Sequence, residues 1–247
     1  IRELLEVELT AGRRTLVGFD FNFGYPIGFA KKLTGTASGL AVWAWLSERI
    51  KDGADNQNNR FEVAAQINAM FPGVGPFWGA PNSVSFDSLP HKGSARRGHG
   101  MSELRQTDIA AKTAQSAWKL YTAGSVGSQG LLGIYHLSRL KACLGNRVMV
   151  FPMEIGCNVF KFPVVLSEIY PSFENIDDVT LFRKKHPSAL YGIRDARQVR
   201  QMCDKLGRLM NKKKNTVGLF DFESVPKNIL TEEGWILTVP AHGKCYD

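Results

Sequence analysis

Two acids stand where a folded chain rarely tolerates charge. Asp20 lies near the end of the almost wholly apolar run 15–21, and Glu168 near the end of a similar run at 164–170. Burying a carboxylate without a partner costs several kcal/mol, so each acid calls for a metal ion, an arginine or a set of loop amides. Carboxylates converging from adjacent parallel strands suit hard divalent ions such as Mg²⁺ or Mn²⁺, which take oxygen ligands and serve phosphoryl chemistry. Asp20 and Glu168 are therefore the candidate metal ligands and, with Asp195, the candidate catalytic residues. For any one of the three, pairing with an arginine or capping of amides is an equally good account, and Asp195 in the first turn of a helix also favours the helix dipole.

A substrate-facing group is sought next to these acids. The segment Gly124-Ser125-Val126-Gly127-Ser128-Gln129 forms a turn that opens a helix, where free amides suit an anion. It has no Lys of a phosphate-binding P-loop and no dinucleotide fingerprint, and a plain helix cap explains it equally well. Ser125 and Gln129 of this turn, with Arg60 and Lys119, are the candidate substrate-binding residues; surface ion pairing is the competing account for the two cations. The five histidines show no zinc-hydrolase spacing, and no Gly-x-Ser-x-Gly nucleophile elbow is present.

The elements that must position these groups read as an α/β chain. A short helix over 1–10 feeds the strand at 15–21, expected to be central and buried. Helical segments follow at 29–32, 39–50 and 59–68, with Trp43, Trp45, Leu46 and Ile50 expected in the core. Residues 72–81 form a Gly/Pro/aromatic loop carrying Phe77 and Trp78, of the kind that borders a cleft. The stretch 82–102 is rich in Ser, Gly, Arg and His and reads as a mobile insertion. Helices are expected at about 103–114 and 131–144, strands at 147–152 and 164–170, and a long helix at 193–210 burying Val199, Met202, Cys203, Leu206 and Leu209. Residues 235–239 read as a strand or a packed extension, and the whole chain, 1–247, as a single domain.

Composition narrows the classes. No apolar run approaches the roughly 20 residues that span a bilayer, so no membrane partner is expected. Cys143, Cys157, Cys203 and Cys245 are scattered, which fits reduced thiols in a cytoplasmic setting better than a zinc site or a disulfide framework. The formal charge of +8 gathers partly in three clusters, around residues 91–97, 183–186 and 212–214. Such clusters serve nucleic acid in some proteins and are solvated surface in more. The chain starts at Ile1 without Met, inside a helix-like stretch, so an N-terminal piece is expected to precede it.

Taken in order, the strand ending in Asp20, the turn through Gly24-Tyr25-Pro26, the segment 124–129, Ser167-Glu168-Ile169-Tyr170-Pro171 and Gly192 with Arg194 form a series. This series resembles an uncharacterised family of predicted nucleases with a ribonuclease H-like fold. The resemblance spans most of the chain. It implies a mixed sheet flanked by helices, with an antiparallel section preceding the first helix whose N-terminal strands are expected to be missing from this chain, and a first acid lying before Ile1. The chain departs from the family's turn at Phe21-Asn22-Phe23 and carries a long helical and loop insertion between the strands of Asp20 and Glu168. The expected function is that of a metal-dependent hydrolase or nuclease-like protein using Mg²⁺ or Mn²⁺ on nucleic acid or a small phosphate-containing molecule. The alternatives are a non-catalytic module holding a nucleotide-like ligand with the 77–78 loop and the Gly/Ser turn, and an accessory protein of cofactor biosynthesis.

Overall fold

A computed structural model describes residues 1–154, 158–173, 184, 188–211 and 213–241. Arg183, Lys185 and His186 of the cluster at 183–186, Lys212 of that at 212–214, and Cys157 and Cys245 lie outside these residues.

Three runs of β-branched and apolar residues form β1 (Thr15–Phe19), β2 (Val148–Phe151) and β3 (Val164–Glu168). They join as one open sheet in the order β1-β3-β2, all parallel. The antiparallel section of the expected mixed sheet is not found among the described residues. β3 is central and buried throughout, whereas β1 is an edge strand. The expectation that β1 is central is thus corrected: its side chains are only partly buried and Gly18 is exposed. An apolar run reports that both faces of a strand are covered; it does not report a hydrogen-bonding neighbour on each edge. In β1, Val17 and Phe19 pack on one face and Leu16 on the other.

Each face of the sheet carries its own core. On one side Val148, Val150, Val164 and Leu166 pack against α2 (Phe29–Thr34), α3 (Gly39–Arg49), α4 (Arg60–Ala69) and α6 (Gly127–Leu144). The strand period of two sends Met149, Phe151 and Val165 to the other side, against α7 (Arg194–Met210) and the segment 235–241. Trp43, Leu46 and Ile50 are core as expected, while Trp45 is only half-buried and carries the guanidinium of Arg49 on its ring, 4.1 Å from the centroid. On α7 the buried row is Gln198, Met202, Leu206 and Leu209; Val199 and Cys203, expected on that row, are exposed. They lie one residue further round the helix, about 100° away, beyond the edge of the apolar stripe.

The helical and loop segment between β1 and β3 is not a separate unit. Tyr25, Phe29, Phe77 and Trp118 form an aromatic cluster with ring centroids 4.6 to 6.3 Å apart, which ties the turn after β1 to the loops around it. Residues 82–102 hold one 3₁₀ turn, Gly93–Ala95, and two isolated bridges, Phe86–Leu89 and Val74–Arg97. Residues 235–239 are a packed extension and not a strand: Leu237 donates its amide to the Glu168 carbonyl at 2.9 Å and is fully buried.

Candidate functional site at the ends of β1 and β3

Register decides how the two strand-end acids stand. Phe19 lies opposite Glu168, so Asp20 falls one residue beyond it, and alternation directs Asp20 and Glu168 towards opposite faces of the sheet. Glu168 enters the larger helical layer. The turn after β1 then folds over it: the Phe23 amide donates to Glu168 Oε2 at 2.9 Å, and the Trp43 indole donates to the Phe23 carbonyl at 2.7 Å. The turn can lie this close to α6 only because position 130 is glycine, where a Cβ would meet Asn22 Oδ1 at 2.2 Å.

Glu168 has a partner that is far away in sequence. Arg105, 2% exposed, donates to both of its oxygens, from Nη1 at 2.7 Å and from Nη2 at 2.6 Å. The same guanidinium donates to both Asp108 oxygens, and Nη1 also reaches the Glu233 carbonyl. Burial works against the charge on Arg105, but Asp108 and Glu168 overcome it and hold the guanidinium well above its ordinary range. Burial pushes the Glu168 carboxyl up, while Arg105 draws it back down. Of the two accounts open for Glu168, pairing with an arginine is therefore the one realised.

Asp20 differs. It is open to solvent and has no hydrogen-bond partner among the described residues. Surrounding protein nonetheless strips enough of its hydration that its carboxyl is pushed up to about 6, first by desolvation and then by the charges of Glu168 and Asp195. Asp195, exposed in the first turn of α7, thus stands within electrostatic reach of Asp20. The structure brings Asp20 and Glu168 together in the lining of a small cavity of about 70 Å³, with Asn22, Arg105, Gln115, Val126 and Tyr170 among others; Asp195 is not in that lining. Among the described residues, no three His, Cys, Asp or Glu side chains form a ready-made coordination shell.

The predicted substrate-binding residues divide. Ser125 and Gln129 sit at the start of α6, whose N-cap residue Val126 borders the cavity. Gln129 is exposed there. Arg60 and Lys119 are held elsewhere: Arg60 donates to Ser128 Oγ and Asn58 Oδ1 and lies over the Phe61 ring, and Lys119 donates to the Ala123 carbonyl. Neither lines the cavity of the acids.

No protein-family model matches the chain, and no match was found among curated proteins or solved structures.

Four residues that shape the site went unremarked in the sequence. Arg105 and Asp108 form a capping box on α5 (Gln106–Ala111), whose i, i+3 spacing is visible in the sequence once a helix is placed there. Glu232 accepts from the amides of Gly28 and Ala30, and Glu233 accepts from those of Ile27 and Gln106. Burial pushes the Glu233 carboxyl up, and the Gln106 and Ile27 amides oppose it. The adjacent pair Glu232-Glu233 before Gly234 was the only signal of this.

Proposed function

We propose that the C-terminal end of the parallel sheet is a metal-assisted hydrolytic site for a phosphate-containing substrate, in keeping with the ribonuclease H-like nucleases that the motif series resembles. One observation carries the reading: Asp20 is a strand-end carboxylate with no hydrogen-bond partner among the described residues, its proton affinity pushed up first by desolvation and then by the charges of Glu168 and Asp195. Glu168 already has the Arg105 cation beside it, so Asp20 is the carboxylate whose charge a bound cation would relieve.

The donor set suits Mg²⁺ or Mn²⁺. Mg²⁺ is commonly held by one or two carboxylates together with waters and substrate phosphate oxygens, and not by a full protein cage. Asp20 and Asp195 are the residues that would hold it. When bound, such an ion polarises a phosphoryl oxygen and lowers the pKa of a water. Glu168, with both oxygens taken by Arg105, serves as a fixed anionic neighbour to Asp20 and anchors the turn that carries it. At the opening of α6 the amides of Ser125 and Gly127 are already given to the carbonyls of Thr122 and Lys119, so the phosphate would be met there by the exposed Gln129. Open parallel sheets place ligands beyond the carboxyl ends of their strands, and this site obeys that rule.

The test is hydrolysis of bis(p-nitrophenyl) phosphate by the full chain with Mn²⁺. The wild-type chain is expected to turn it over, and Asp20→Asn to lose at least about a hundredfold in rate. Equal rates in the two proteins would rule out a catalytic role for Asp20.

A further inference from the structure

A second cavity lies away from the acids. It has a volume of about 580 Å³ and is walled by the loop 78–83, the segment 91–93 and the pair Tyr121 and Thr122. Its floor is pinned by backbone hydrogen bonds: Trp78 donates to the Trp118 carbonyl, Leu120 donates to that of Trp78, and Gly79 donates to that of Pro90. The wall is therefore preformed.

Its chemistry is one-sided. Among the described residues no Asp or Glu lines the cleft, whereas Lys92 is exposed on its rim and His91 is fixed there by its Nδ1 on the Ala80 carbonyl at 2.8 Å. Behind the lining, the cations of Arg96, which is paired with Glu103 at 2.8 Å, and of Lys119 sit 5.4 and 5.6 Å from the centroid of the Trp78 ring. Trp78 is a fixed wall, since a Cβ at Gly93 would lie 3.2 Å from its indole. Tyr121, 47% exposed, presents a ring to the opening. Next to it Thr122 holds φ at 77°, a left-handed conformation that a β-branched residue rarely adopts; such strain clusters at ligand sites.

A positive, aromatic-walled cleft of this volume matches a small anion with a flat ring. We propose that it binds a nucleoside monophosphate, with the base stacked on Tyr121 and the phosphate met by Lys92. This goes beyond the hydrolytic reading and does not depend on it. The segment 114–126 links the two places, since Ala114, Gln115 and Val126 line the acidic cavity and Tyr121 and Thr122 line this one.

The experiment is calorimetric titration of the full chain in EDTA with adenosine 5′-monophosphate, and separately with adenosine, inorganic phosphate and a short oligo(dA). One saturable site is expected, with each half of the nucleotide binding more weakly than the whole and the oligonucleotide no tighter. Tyr121→Ala and Lys92→Ala should each weaken it at least roughly fivefold, as for a lost stack or charge, while Tyr121→Phe retains it and Asp20→Asn leaves it unchanged. The proposal is overturned by the absence of saturable binding, by phosphate alone binding as well as the nucleotide, or by tighter binding of oligo(dA). Binding lost in Asp20→Asn but kept in Tyr121→Ala would overturn it too, and would place the nucleotide at the acids.

Discussion

At the scale of single residues, Asp20 and Glu168 look alike in the sequence and are physically opposite. Glu168 is buried and doubly bonded to Arg105, so its charge is structural; Asp20 is free and raised to about 6. Removing one partner of a buried pair leaves the other charge unpaired, so Arg105→Ala should cost about 3–5 kcal/mol in urea unfolding. Arg105→Lys should recover little of that loss, because an ammonium cannot reproduce the fork that spans Glu168 and Asp108. Asp20 shapes the pH dependence. Its carboxyl in the unfolded chain titrates near ~3.9, below the folded value, so the folded chain binds that proton more tightly. Its stabilising share is thus full below about pH 4 and falls as pH rises through about 6. In Asp20→Asn that decline should disappear from a stability profile measured between pH 4 and 7; an unaltered profile would mean that Asp20 titrates normally.

At the scale of elements, the strand-end acids were legible because a lone carboxylate interrupts an otherwise apolar run, and the helices because their apolar positions recur with the helical period. The edge position of β1 was not legible, since hydrophobicity records covered faces and not hydrogen-bonded edges. Nor was Arg105, whose pairing with Glu168 spans 63 residues of chain and leaves no local pattern. The contact between α6 and the turn after β1 was equally hidden, although it rests on Gly130 and Gly133, where a Cβ would stand 2.2 Å from Asn22 Oδ1 and 2.4 Å from the Phe21 ring. Alanine at position 130 would gain about 1 kcal/mol of helix propensity, but overpacking costs roughly 1–3 kcal/mol. Gly130→Ala is therefore expected to lower stability on balance in chemical denaturation and to weaken metal binding by displacing the turn that carries Asp20. A gain in stability would mean that the turn yields freely.

At the scale of the whole molecule, a short parallel sheet with a core on each face presents its strand ends to one place, and the C-terminal segment closes around it. Glu232, Glu233 and Leu237 tie that segment to α2, α5 and β3, so the last described stretch of chain supports the site as firmly as the first strand does. The chain's formal charge is +8, and on the proposed reading such a net positive charge would favour encounter with a phosphate-bearing substrate. Among the described residues no helix is long and apolar enough to cross a membrane. On the proposed reading, Asp20 and Asp195 share one divalent ion. Calorimetric titration of the full chain with Mn²⁺ addresses it most directly, alongside Asp20→Asn and Asp195→Asn. The account predicts saturable binding to the wild-type chain that is abolished in Asp20→Asn and weakened at least about tenfold in Asp195→Asn; no binding by the wild-type chain, or binding unchanged in Asp20→Asn, would contradict it.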